Sequence, residues 1–204
     1  MTNSYVVFSG NIGSGKSTLA QILETTRGYM LWPEAVDELL YVRDFYDDMG
    51  RWAFHNQLDF LSRKAQQAIS LVERRGRHCQ DRCLAECYEV FSKKLYEDGL
   101  ISTRDFEVLT RLYSMLSVGN RVPDLVVHVH ARQDVLFDRI GRRAREHEVG
   151  ISREWLAGLE ERYDQWLSAQ PARVLRLDTS ELDPTTSPSH RSFLLDEIEK
   201  ALPR

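Results

Sequence analysis

Hydrophobic and polar positions in this chain follow two different periods. Residues 5–9 (YVVFS) and 124–131 (DLVVHVHA) are short apolar runs with the length and β-branched content of buried strands. Residues 30–33 fit a short strand, 78–82 a more polar one, and 173–178 (RVLRLD) a last one in which apolar and polar residues alternate. Between these runs the spacing becomes helical, over 16–27, 36–46, 52–75, 84–97, 104–118, 133–146, 152–169 and 191–201. Gly28 and Gly76 stand where helices should stop, and Ser152 with Glu154 behind it opens another.

Strands that alternate with helices predict an α/β fold, a doubly wound parallel sheet of about five strands with helices on both faces. Right-handed crossovers leave few strand orders. There is no internal repeat, and the Pro/Ser-rich stretch 184–189 lies too near the C-terminus to be a linker, so residues 1–204 read as one domain.

Composition narrows the function. Hydrophobic residues at 42% and charged residues at 28% are ordinary for a globular protein. The net charge of −4 supplies no basic excess for neutralising a nucleic-acid backbone, so any cationic site must be local. No apolar run approaches a membrane span, and the start MTNSYVVFSG has no basic region or long apolar stretch, so neither a membrane nor a secretory signal is expected. The odd cysteine count (Cys79, Cys83, Cys87) points to reduced thiols and a cytoplasmic setting. Their i, i+4, i+8 spacing does not suit a metal site, and a structural or pocket-lining role is expected. His128 and His130 share one side of a strand and read as core or interface residues.

The most specific feature is Gly10-Asn11-Ile12-Gly13-Ser14-Gly15-Lys16-Ser17, a G-x4-G-K-[ST] sequence with a strand before it and a helix after, continuing into Thr18. Glycines let backbone N–H groups wrap a phosphate, and the helix N-terminus adds partial positive charge. Lys16 would reach the β- and γ-phosphates of ATP, and the Ser17 hydroxyl would ligate Mg²⁺. This motif implies nucleotide binding without fixing the reaction.

Four further segments bear on the reaction. Pro33-Glu34-Ala35-Val36 places a carboxylate at the end of the second strand, where ligands bind in open parallel sheets. Tyr46, Trp52, Phe54 and Gln57 combine aromatic walls with a group that can both donate and accept. Asp81-Arg82-Cys83 follows a strand. Arg139, Arg142, Arg143 and Arg145 fall within seven residues, and the first three share a helix face that suits a transferred phosphate.

In this order and spacing the segments resemble the deoxynucleoside kinases, P-loop enzymes that phosphorylate the 5′-hydroxyl of deoxynucleosides, over most of residues 4–180. The resemblance implies a P-loop NTPase-type fold with an Arg-rich lid at about 139–151. It implies Glu34 as the base for the 5′-hydroxyl, Arg82 as the group that holds the reacting end, and Asp81 near Mg²⁺. It implies Tyr46 and Glu148 on the sugar, Gln57 on the base, and Arg139, Arg143 and Arg145 on the donor phosphates. The region 179–184 would pack against the donor base, and the assembly would be a homodimer.

Two positions depart from the family. Lys64 stands where a base-reading arginine is expected, seven residues after Gln57, and Cys87 stands where its acidic partner is expected. Glu86 is next to Cys87 but points about 100° away on a helix. Phe60 narrows that side of the pocket. Trp52, Lys64 and Cys87 remain expected substrate-pocket residues, but the paired arginine and aspartate are absent, and the base is left open. Two other functions remain: a P-loop kinase for another nucleoside or nucleotide, and a non-catalytic binding subunit on the same fold.

Overall fold

The computed structural model describes residues 3–145, 148 and 150–203. Residues 146, 147 and 149, in the expected lid, lie outside the described residues. Five parallel strands, β1 (Ser4–Ser9), β2 (Met30–Trp32), β3 (Arg77–Asp81), β4 (Leu125–His130) and β5 (Arg173–Asp178), form one sheet in the order β2-β3-β1-β4-β5. The central strand, β1, is buried throughout.

Alternation along the strands sends side chains to two cores. Val6 and Phe8 of β1 and Val127 and Val129 of β4 pack against Leu19 and Leu23 of α1 (Lys16–Arg27) and Leu194 and Ile198 of α9 (Pro188–Ala201). Tyr5, Val7 and Val126 face the other way, onto Leu156, Leu159 and Tyr163 of α8 (Arg153–Ser168). Each fully buried side chain of this size contributes about 1.5–3 kcal/mol. A third cluster, including Phe45, Leu61, Leu84, Cys87, Leu95 and Leu109, joins α2 (Val42–Asp47), α3 (Met49–Val72), α4 (Leu84–Glu86), α5 (Lys93–Glu97) and α6 (Thr103–Leu116) into a helical layer.

Three helices differ from expectation. The one expected over 36–46 divides into a single 3-10 turn, Val36–Glu38, and the short α2. The amide of Leu40 donates to Asp59 of α3 at 2.6 Å, and this tertiary bond replaces a helical one. The helix expected over 84–97 contains a π-helical turn, Cys87–Ser92, between α4 and α5. α7 (Gln133–Arg143) stops before 146 because Ala144 takes left-handed backbone at φ 51°. Elsewhere ends shift by a few residues, with Asp48, Ser152 and Ser187 as side-chain caps.

Candidate active site

The carboxyl ends of β1, β2 and β3 converge on the loop between β1 and α1. Gly10, Gly13 and Gly15 all have positive φ, but close approach is what makes the first two demanding. A Cβ on Gly10 would lie 2.1 Å from the Val129 carbonyl oxygen, and one on Gly13 would lie 2.8 Å from that of Leu136. Gly10→Ala is therefore expected to push the loop off β4, at about 2 kcal/mol or more. Donor-nucleotide titration should show at least about a tenfold weaker Kd, and the melting temperature should fall with it. Unchanged affinity would contradict the loop's role.

Lys16 is buried, and its ammonium donates to the Asn11 carbonyl at 2.9 Å. Burial pulls its pKa down, as does Arg82, against the pull of Asp81, Glu34 and Glu86. Ser17 Oγ donates to Asp81 Oδ2 at 2.5 Å, while the buried Asp81 Oδ1 has no hydrogen-bond partner. Asn11 ties the loop to α8 by donating to the Leu156 carbonyl at 2.8 Å.

Arg82 organises the carboxylates. Its backbone sits at φ 59°, a left-handed conformation costing about 1–2 kcal/mol in a non-glycine residue. Its amide donates to the Phe8 carbonyl at 3.0 Å. Nη1 lies 2.9 Å from Glu34 Oε1, Nε lies 3.3 Å from Glu86 Oε1, and the guanidinium rests 4.1 Å over the Phe91 ring. Burial opposes ionisation of Glu34, but Arg82, helped by Lys64, Lys16 and Arg145, holds its carboxyl below the ordinary range. Glu86 and Asp81 shift the other way, because burial and the charge on Glu34 outweigh their nearby cations.

A cavity opens beside this cluster. Its walls include Ile12, Gly13, Lys16 and Ser17 of the loop, and Glu34, Tyr46, Gln57, Arg82, Cys87, Arg143, Arg145 and Glu148. The structure thus brings together most of the residues expected on the acceptor side. A second, more open cleft is lined by Gly13–Leu19, Arg139, Arg142, Arg143 and residues 179–185.

Two expected pocket residues are elsewhere. Trp52 is not in the cavity wall; its ring stacks on Tyr41 at 5.5 Å, with Arg51 5.0 Å above it. Lys64 is also absent from the wall: its ammonium donates to the Asp81 carbonyl at 2.5 Å and to Gln67 at 3.2 Å. With Cys87 where a carboxylate would draw Lys64 inward, the cation settles beside Asp81 and Glu34. Arg139 lies in the open cleft, where its guanidinium donates to the carbonyls of Ser14 (3.1 Å) and Thr179 (2.6 Å), bracing the loop against the 179–185 segment. Arg143 forks onto Glu148 with contacts of 2.6 and 3.2 Å, and Arg145 lies 3.5 Å from the same carboxylate.

All three cysteines are free, and no group of three or more possible metal ligands occurs among the described residues. His128 is buried, stacked with His130 at 5.8 Å and 3.5 Å from Glu160, in keeping with a core role.

Sequence reading missed two parts of the site. Glu86 turns toward the phosphate loop: its Oε1 accepts from the Tyr163 hydroxyl at 2.6 Å and from the Gly10 amide at 3.4 Å, and the same hydroxyl lies 2.7 Å from the Gly10 carbonyl oxygen. The second part is Asn56, which is 2% exposed and lines the cavity next to Gln57. Its visible signal was a polar pair, Asn56-Gln57, on a helix whose buried face is otherwise apolar apart from Lys64.

Known proteins resemble this chain in sequence and in fold. The family model described as deoxynucleoside kinase matches residues 6–203. The chain is 29% identical over 203 residues to the deoxyadenosine/deoxycytidine kinase of Bacillus subtilis, covering 98% of this chain and 94% of that one. It is 33% identical over 187 residues to the deoxyadenosine kinase of Dictyostelium discoideum, covering 90% and 76%. In fold it is similar to the deoxyadenosine kinase of M. mycoides solved with bound dCTP, with a TM-score of 0.82 at 21% identity over 96% of this chain and 99% of that one.

Proposed function

This chain belongs to the deoxynucleoside kinase family, and from that membership we propose that it transfers the γ-phosphoryl group of ATP to the 5′-hydroxyl of a deoxynucleoside. The observation that carries the reading is the Arg82–Glu34 pair, 2.9 Å apart, in the wall shared by the acceptor cavity and the phosphate loop.

In this reading the nucleoside fills the cavity with its 5′-hydroxyl at Glu34. The carboxylate, kept ionised by Arg82, accepts the hydroxyl proton as the oxygen attacks the γ-phosphorus and the bond to the β-phosphate oxygen breaks. Lys16 and Arg82 offset charge on the transferred group, joined by Arg143 and Arg145 from the lid segment. Arg143 exchanges its partner Glu148 for phosphate, which leaves that carboxylate available to a sugar hydroxyl beside Tyr46. Arg139 shapes the donor cleft through its backbone contacts.

Ser17 and Asp81 fit Mg²⁺: a hydroxyl and a carboxylate meet there, and the unpartnered Asp81 Oδ1 is a buried oxygen suited to a hard cation or its water. The ion would neutralise and orient the triphosphate. A homodimer and a cytoplasmic setting belong to the same reading; among the described residues no helix is long and apolar enough to cross a membrane.

The test is phosphoryl transfer from labelled ATP to the four deoxynucleosides and their ribose forms. At least one should yield a 5′-monophosphate. Failure of every acceptor while ATP still binds would overturn the reading.

A further inference from the structure

The acceptor cavity contains a polar group that this mechanism does not use. The Asn56 side chain makes no hydrogen bond to any described residue, and its Oδ1 is buried without a partner in the cavity wall. A buried amide oxygen left without a donor is costly, so a polar occupant of the cavity would relieve it. The neighbouring Gln57 differs, because its Oε1 already accepts from Ser92 Oγ at 3.0 Å. Its carboxamide still has its NH2 group to offer an additional partner. The cations of the cavity, Lys16, Arg82, Arg143 and Arg145, come from the phosphate loop, β3 and the lid segment. None comes from α3, since Lys64 is bonded to the Asp81 carbonyl.

We propose that Asn56 reads the base of the acceptor: Oδ1 takes a hydrogen from an exocyclic amino group and Nδ2 gives one to the adjacent ring nitrogen, which selects an adenine-type base and disfavours guanine. An asparagine carboxamide pairs bidentately with adenine, whereas guanine is matched by arginine or lysine, and α3 turns neither into the cavity. The free groups also fit by number. The guanine edge presents two neighbouring donors, and among the described residues of α3 the one buried oxygen without a partner is Asn56 Oδ1. One guanine N–H would be buried unpaired, which amounts to about a 10- to 100-fold penalty. The proposal rests on the deoxynucleoside kinase reading and adds a specificity-determining residue to it.

The experiment compares kcat/KM for deoxyadenosine, deoxyguanosine and purine 2′-deoxyriboside, which lacks the 6-amino group, in the unaltered protein and in Asn56→Leu. The unaltered protein should favour deoxyadenosine over each of the others by about 10- to 100-fold. Asn56→Leu should bring deoxyadenosine down toward the deaminated analogue while lowering the analogue far less, because substrate and protein then lack the same contact. Indifference of the unaltered protein to the 6-amino group overturns the proposal, as does an equal loss on both purines in the variant. If Asn56→Leu does not fold, the substrate comparison alone decides. Phosphorylation of another deoxynucleoside but not deoxyadenosine sinks this proposal and leaves the kinase reading standing; phosphorylation of none sinks the kinase reading.

Discussion

Replacing Glu34 with glutamine is expected to lower kcat by about 10²- to 10⁴-fold, the range of a general base in proton transfer. Glutamine keeps the shape and much of the packing, so the melting temperature and the KM for the nucleoside should change far less than the rate. The pH profile gives an independent check. Burial alone would raise the Glu34 pKa, but Arg82, Lys64, Lys16 and Arg145 bring it below the ordinary carboxylate range. The base is then already ionised at neutral pH, and an acid limb due to Glu34 should fall below about pH 4.3, the unperturbed value for glutamate. Steady-state rates from pH 4 to 8 should be flat on the acid side down to that region. A loss under about tenfold in the glutamine variant, or an acid limb near pH 6 assigned to Glu34, would remove it from the role.

Arg82→Met is expected to cost more stability than any other single change in the site. The guanidinium is shared between two buried carboxylates, Glu34 and Glu86, at 2.9 and 3.3 Å. Removing one partner from a buried ion pair costs about 3–5 kcal/mol, because the remaining charge has lost its compensation. For a chain of this size that corresponds to a fall of about 6–20 °C in melting temperature. The pH dependence should also reverse. In the unaltered protein Glu34 has a depressed folded pKa, so its stabilisation is present above the unfolded value and is lost as pH falls through the folded one. Without Arg82, burial dominates and raises that pKa, so stability is lost as pH rises above the unfolded value. Thermal melts from pH 4 to 8 should show the variant closest to the unaltered protein at the acid end. A drop of less than about 3 °C at pH 7 would mean that the carboxylates do not depend on this cation.

What could be read from sequence divides by distance along the chain. The phosphate loop was legible because nine consecutive residues, 10–18, carry its chemistry and a strand and a helix bracket it. Glu34, Asp81 and Arg82 were legible because each lies at the carboxyl end of a strand, where an open parallel sheet places ligands. Glu86 was not, because its partner Tyr163 is 77 positions away and only packing of α8 under the loop joins them. Lys64 was misplaced for a related reason: helical spacing gave its face correctly, but the choice between the cavity and the Asp81 carbonyl depends on electrostatics from other elements. Trp52 shows the same limit, since an aromatic on a half-buried face can stack on a neighbouring helix as readily as line a pocket. The break at Leu40 depends on Asp59, nineteen positions later, which local propensity cannot register.

The π-helical turn at Cys87–Ser92 ties the shape of the acceptor cavity to a count of residues. Such a turn holds one residue more than an α-helical path would need, and here the Ser92 hydroxyl also reaches the Cys87 carbonyl at 3.2 Å. Deleting any one residue would let the segment close as ordinary α-helix. Because the extra residue is taken up inside the turn, everything from Lys93 onward would stay close to its present place. The change would fall on the turn itself, on Cys87 and Phe91 of the cavity wall and on the Ser92 contact with Gln57. Relatives that lack the extra residue should therefore differ in the local wall that this turn gives the acceptor cavity, while the helices on either side keep their places.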